Sequence, residues 1–163
     1  MAALIPVVLA GCLGGPATPS AVAPSLDGWR RLGLICTGPT EDNVPNDLLQ
    51  WSCHGTVDGA ALSATLDGDA EGVFGIVAQL PAGSDKEVVA GAFGDLVDTT
   101  TALASVSGGI RTWLEARDGP ASYGEYGLIA EFGTARVMLQ ADDTWITLNI
   151  SPGPRRSVDD TPA

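Results

Sequence analysis

Positive charge is scarce in this chain. Its 163 residues include only 8 Lys and Arg against 20 Asp and Glu, which gives a formal net charge of −12. A nucleic-acid-binding protein neutralises phosphates with clustered basic side chains, so the shortage excludes DNA and RNA as expected partners. The chain also has a single histidine, His54. Only one imidazole is therefore available for nucleophilic or acid–base catalysis.

Long hydrophobic runs are missing as well. Residues 1–11, MAALIPVVLAG, form an apolar run that is too short to cross a bilayer, because a spanning helix needs about 20 apolar residues. The composition is nevertheless that of a folded protein, with 45% hydrophobic and 17% charged residues. Length and composition together predict one domain with short tails.

The end of the apolar run contains a recognisable motif. Leu9, Ala10 and Gly11 precede Cys12, and the next residues, LGGPATPSAVAPS, have the Gly, Pro, Ser and Ala content of a flexible tether. This arrangement resembles the lipobox of bacterial lipoproteins, in which the cysteine becomes the first mature residue and carries the lipid.

The resemblance implies a domain organisation and a location. Residues 1–11 would be a signal peptide, truncated because no Lys or Arg precedes Arg30, and residues 12–27 a lipidated cysteine with a flexible linker. Cys12 would carry the lipid, palmitate included, and would anchor the protein in the membrane with its domain outside the cytoplasm. The alternative is an unmodified Cys12 in an apolar N-terminus.

A lipidated Cys12 would leave Cys36 and Cys53 as a pair in an oxidising compartment. We expect them to form a disulfide, which would stabilise the fold by about 3 kcal/mol in the chain-entropy model. A zinc site that uses both cysteines and His54 is disfavoured, because structural zinc needs four ligands and adjacent Cys and His side chains rarely face one ion. No metal or cofactor is predicted.

The periodicity predicts a single α+β domain over residues 28–150, followed by a disordered tail over 151–163. Its antiparallel sheet consists of two strand blocks of about three strands each, flanking two consecutive helices packed on one sheet face. Ser84 and Glu87 match a capping box at the start of the first helix. Gly91 and Gly94 within that helix predict a close approach to the sheet.

An acidic segment, residues 67–72, separates two predicted strands. Asp67, Asp69 and Glu71 followed by Gly72 resemble the opening of an EF-hand calcium loop, but the twelfth position is Ala78 in place of a bidentate carboxylate. We therefore favour an acidic hairpin turn.

The last predicted strand indicates a candidate binding surface. The alternation that directs Ile146 and Leu148 to the core directs Trp145, Thr147 and Asn149 to the opposite face, and a neighbouring strand adds Arg136. Such a mixture of an aromatic side chain and hydrogen-bonding groups suits an envelope protein or a glycan. The alternative is a solvated face, with Trp145 covered by the tether or by residues 29–35.

No catalytic signature such as H-E-x-x-H, G-x-S-x-G or a P-loop occurs in the sequence. The sequence therefore favours a surface-tethered, non-enzymatic binding or interaction module of the cell envelope. Two alternatives stay open. One is an exported enzyme using paired carboxylates such as Glu125 and Glu131, and the other is a purely structural envelope protein.

Overall fold

The computed structural model describes residues 17–40, 48–124 and 126–152. Cys12, the predicted signal peptide and all but two residues of the predicted tail lie outside these ranges. The described chain is an α+β domain, as the sequence predicts, and consists of a seven-stranded antiparallel sheet and three α-helices. None of the described helices is long and apolar enough to cross a membrane.

The elements occur in the order helix, four strands, two helices, three strands. In chain order they are α1 (Ala23–Arg31), β1 (Ile35–Thr40), β2 (Leu49–Val57), β3 (Ala60–Gly68), β4 (Val73–Pro81), α2 (Lys86–Thr99), α3 (Ser107–Glu115), β5 (Leu128–Phe132), β6 (Ala135–Ala141) and β7 (Trp145–Ser151). Two single turns of 3-10 helix, Thr101–Leu103 and Pro120–Ser122, follow α2 and α3.

The sheet joins the two predicted strand blocks through their last strands. Its order is β1-β2-β3-β4-β7-β6-β5, and every pair is antiparallel. The junction pairs β4 with β7, so that Ile76 lies opposite Ile150 and Leu80 opposite Ile146. The order places β1 and β5 at the two edges and the β4–β7 pair near the centre.

One face of the sheet carries the helices and the core. Every second side chain of β3 from Leu62 to Leu66 is buried, as a period of 2 requires, and in β7 the core side chains Ile146, Leu148 and Ile150 are buried together with Thr147 of the opposite face. From the helices, Phe93 and Leu96 of α2 and Ile110 of α3 complete the core, each with no more than 1% of its surface exposed. The alternation of Leu128 and Ala130, extended back along the sequence, predicts a core position for Tyr126, but Tyr126 precedes the start of β5 and is 84% exposed.

The sequence predicted neither α1 nor β1. Residues up to 27 were expected to be linker, but Val22 and Leu26 are fully buried, and Trp29 one turn later donates a hydrogen bond from Nε1 to Thr100 Oγ1 at 2.8 Å. The Val22 amide also donates a hydrogen bond to the Pro19 carbonyl oxygen in the turn that precedes α1. The folded domain therefore begins earlier than the predicted boundary, because an apolar stripe of helical spacing buries this segment.

The first helix of the predicted pair begins where expected but without the predicted capping box. Its N-cap is Asp85, and no side chain bonds to the free amides there. The two glycines also have a different use from the predicted one. Gly94 lies against the Arg111 guanidinium of α3, and Gly91 lies against the Asp58 carboxylate in the β2–β3 turn. Neither glycine is therefore needed for a close approach of the helix to the strands of the sheet.

Candidate binding face

The sheet surface opposite the helices, called here the open face, is lined by every second residue of each strand. From β2 to β7 its members in the described chain are Gln50, Ser52, His54, Thr56, Ala61, Ser63, Thr65, Asp67, Gly75, Val77, Gln79, Pro81, Ile129, Glu131, Arg136, Met138, Gln140, Trp145, Thr147, Asn149 and Ser151. Hydroxyl and amide groups dominate the middle of this face. None of the three described helices packs on it.

A cavity of about 260 Å³ opens on this face across β2, β3 and β4. The side chains that line it belong to Ser52, His54, Ser63, Thr65, Val77 and Gln79, while Cys53 and Ala64 form part of its floor. The floor is backbone, because the side chains of those two residues point into the core, where both are buried. The cavity is smaller than the 300 to 1,000 Å³ or so typical of sites for drug-sized ligands, so it suits a small ligand group.

The pairing of the strands explains why these side chains converge. His54 lies directly opposite Ser63, and Ser63 lies opposite Gln79, which forms one row across three strands. Ser52 and Thr65 form the next row, which continues to Val77. Facing side chains in adjacent antiparallel strands have Cβ atoms about 4.5–5.5 Å apart, so the two rows form one contiguous patch.

Most polar groups in the cavity are available to a ligand. Within the described ranges, the side chains of Ser52, His54, Ser63 and Thr65 make no hydrogen bond to another residue. Gln79 donates a long hydrogen bond of 3.4 Å from Nε2 to Thr147 Oγ1 and keeps its carbonyl oxygen free. The lining contains no carboxylate, guanidinium or ammonium group.

The structure places all four residues predicted for ligand binding on the open face, at different levels of access. Trp145 is 39% exposed, Arg136 is exposed and Asn149 is half-buried, whereas Thr147 is only 9% exposed. Thr147 therefore supports Gln79 rather than meeting solvent. Arg136 lies on β6 opposite Glu131, two strands from the cavity.

The turn before β7 positions Trp145. Asp142 Oδ1 accepts hydrogen bonds from the backbone amides of Thr144 and Trp145, both at 2.7 Å. These amides, the one of Trp145 first, hold the pKa of the Asp142 carboxyl below its ordinary value. Trp29, proposed above as a possible cover for Trp145, is instead buried on the helix side of the sheet.

Cys36 and Cys53 form a disulfide, as predicted, with an S–S distance of 2.06 Å. The two residues are directly opposite each other in the β1–β2 pair, so the bond attaches the edge strand to the sheet beside the cavity. Cys53 is thereby occupied and cannot act with His54 as a nucleophile or a metal ligand pair.

The acidic segment between β3 and β4 forms a turn. Asp69 Oδ1 accepts hydrogen bonds from the backbone amides of Glu71 and Gly72, and Asp67 Oδ1 accepts one from Gln50 Nε2 at 2.8 Å. Both carboxylates are therefore used locally. Across the residues that the structure describes, no group of three or more His, Cys, Asp or Glu side chains is arranged to hold a metal ion.

Comparisons with known proteins identify no relative. No family model matches the chain, and neither the curated proteins nor the solved structures gave a significant match. The function must therefore be inferred from the residues of this chain and their arrangement.

Sequence reasoning found one edge of this site and missed the cavity. The available signal is in the sequence of β3, where Ser63 and Thr65 alternate with Leu62, Ala64 and Leu66 and indicate one polar face. This signal does not indicate a cavity by itself, because the strand registers are needed to place Ser52, His54 and Gln79 next to Ser63 and Thr65.

Proposed function

We propose that this protein is a lipid-anchored protein of the bacterial cell envelope whose single domain binds a partner through the open face. The cavity between β2 and β4, with unpaired hydroxyl and imidazole groups in its lining, is the observation that carries the binding part of the proposal. Ligand sites are typically concave, and a small number of convergent polar groups in them fix the orientation of the ligand.

The lipid anchor is supported by the residues Leu9 to Cys12 and by the cysteine pairing. A disulfide between Cys36 and Cys53 leaves Cys12 as the one cysteine outside it, which suits an exported protein whose third cysteine is acylated. Ten residue steps separate Cys12 from the buried Val22, so the Cα atoms of these two residues are at most about 36 Å apart. The anchor would keep the domain close to the membrane surface.

The anchor is tested by fractionating a bacterium that processes lipoproteins and expresses the full chain. We expect the protein in the membrane fraction, released by detergent but not by high salt, because a chain of net charge −12 is repelled by anionic lipid. Intact mass should show an acylated chain that begins at Cys12, and Cys12→Ala should abolish acylation. An unacylated chain that still begins at Met1 would refute the anchor.

The open face is tested with Trp145→Ala in the same strain. Trp145 is partly exposed and its backbone amide is held by Asp142, so its truncation removes aromatic surface without opening the core. We expect weaker crosslinking of the protein to its envelope partner, with unchanged circular dichroism. Equal crosslinking would remove this surface from the proposal.

The described residues add no support for the enzyme alternative. Of its two carboxylates, Glu131 is exposed and lies opposite Arg136, and Glu125 is outside the described residues. The purely structural alternative predicts that no substitution on the open face changes a binding property of the protein.

A further inference from the structure

We infer that the cavity on the open face binds an uncharged saccharide unit. The inference rests on the proposed function in one respect only, namely that the open face is the surface by which the domain binds. It assigns to that surface a ligand class and the residues that contact it.

The lining of the cavity matches the hydrogen-bonding groups of a neutral sugar. Three hydroxyls, from Ser52, Ser63 and Thr65, each provide one donor and two acceptor positions, and the His54 imidazole and Gln79 amide add both kinds. A sugar presents hydroxyl groups that also donate and accept, so each ring hydroxyl can meet a complementary partner. Val77 adds a small apolar area for the C–H surface of the ring.

The absence of carboxylate, guanidinium and ammonium groups from the lining favours a neutral ligand over a charged one. The chain has 20 acidic residues, yet no Asp, Glu, Lys or Arg side chain lines the cavity. Anionic ligands such as nucleotides and phosphorylated sugars would enter the field of a protein of net charge −12 without a cation to receive them. A cationic ligand would lack a carboxylate in the lining, so the neutral class is favoured over both.

Trp145 lies close enough to the cavity to contact a ligand bound there. Pro81 pairs with Trp145 while Gln79 pairs with Thr147, so Trp145 is the diagonal neighbour of Gln79 on the same face. Diagonal neighbours across antiparallel strands are about 7–8 Å apart, within reach of an aromatic side chain. Trp145 does not line the cavity itself, but from this position its partly exposed indole can stack on a sugar unit that extends past Gln79.

The size and openness of the site indicate a weak interaction with one or two sugar units. A cavity of about 260 Å³ that is open to solvent encloses little of its ligand. For a ligand of this size we expect a dissociation constant on the order of 1 mM for the isolated unit. Many copies of the protein on one membrane would raise the effective affinity for a polymer.

The test is a titration of the full chain carrying Cys12→Ser, with its disulfide oxidised, followed by ¹⁵N-¹H NMR. The probes are maltose and N,N′-diacetylchitobiose as neutral disaccharides, and glucuronic acid and glucosamine as charged sugars. We expect a neutral disaccharide at millimolar concentration to shift the signals of residues 52–54, 63–65 and 77–79 and the Trp145 indole.

The decisive variant is Ser63→Ala combined with Thr65→Val, which removes two hydroxyls from the cavity with almost no change of volume. It should weaken saccharide binding by about tenfold or more, because each lost hydrogen bond is worth about a factor of five. The matched control, Ser105→Ala with Thr101→Val, changes the same groups on the helix side, where both residues are exposed. The control should bind as the parent does.

Three results would overturn the inference: no shift with either neutral disaccharide, shifts only with a charged sugar, or equal binding by the cavity variant and its control. Each is distinct from failure of the proposed function. Crosslinking to an envelope protein that depends on Trp145, without saccharide binding, would keep the binding face and refute the ligand class. Saccharide binding by the titrated protein, together with an unmodified parent chain that is never acylated, would keep the ligand class and the binding face and refute only the anchor.

Discussion

Gly28 of α1 lies directly against the backbone of Thr99 at the end of α2. A Cβ atom at this position would overlap the Thr99 carbonyl oxygen and lie 3.0 Å from the Thr99 carbonyl carbon. The obstacle is backbone, which cannot rotate away as a side chain does. Gly28 therefore determines how closely the N-terminal helix packs on the rest of the domain.

We predict that Gly28→Ala destabilises the protein although alanine favours helices. The gain in helix propensity is at most about 1 kcal/mol, whereas a forced shift of packed elements costs about 1–3 kcal/mol. Chemical denaturation should show a lower midpoint of unfolding. Gly91→Ala is the matched control, because its Cβ would meet only the movable Asp58 carboxylate, and it should be neutral or stabilising. A Gly28→Ala variant as stable as the parent would contradict this packing.

Asp142 gives the turn before β7 a dependence on pH. Its pKa is lowered by the backbone amides of Trp145 and Thr144, so the ionised carboxylate is favoured in the folded protein. The stabilisation is present at pH values above the ordinary pKa of about 3.9 and is lost as the pH falls through the lowered folded value. At neutral pH the ionised Asp142 therefore accepts both backbone hydrogen bonds and stabilises the turn.

An NMR titration should show the Asp142 carboxyl titrating below the ordinary range, with the Trp145 indole signal moving in the same step. In Asp142→Ala the indole should lose that step, because the acceptor for both amides is gone. If the carboxyl titrates at or above the ordinary value, the turn does not depend on its charge.

At the scale of elements, strands were predictable where one face is buried and the other is not. Leu62, Ala64 and Leu66 alternate with polar residues, so a single segment indicates both the strand and its buried side. The β2–β3 hairpin follows from Asp58 and Gly59, which both adopt positive φ as a two-residue turn requires.

The missed elements have equally specific causes. Pro19, Pro24 and Gly28 gave the start of the domain the composition of a linker, although Val22 and Leu26 already had helical spacing. The burial of these apolar side chains in the core stabilises the helix despite a composition that is typical of a linker. β1 is an edge strand whose side chains are mostly exposed and whose register with β2 is irregular, so its sequence shows no clear alternation of polar and apolar residues.

The candidate site was predictable only in part for a related reason. Trp145 and Asn149 lie on one strand, and a period of two places them on the open face directly. The cavity instead requires the registers of β2, β3 and β4, which align His54, Ser63 and Gln79. Register is a property of paired strands, so no single segment reveals such a row.

For the whole molecule, the disulfide links stability to the compartment in which the protein folds. Cys36 and Cys53 are 17 residues apart, and a bond across such a loop stabilises a protein by about 3 kcal/mol through the unfolded chain. Domains of this kind have a free energy of unfolding of only about 5–15 kcal/mol, so the contribution is a large share. The folded state should therefore depend on an oxidising environment.

We predict that Cys36→Ala combined with Cys53→Ala lowers the free energy of unfolding by about 3 kcal/mol, measured by urea denaturation. Reduction of the parent should produce a similar loss, and reductant should have no effect on the double variant. This comparison separates loss of the bond from the change of side chain, because Cys53 is buried and its truncation has a cost of its own. A parent whose midpoint is the same with and without reductant would show that the bond does not stabilise the fold. The argument from the cysteine pair to an exported protein would then lose its physical basis, since the domain would be equally stable with its cysteines reduced.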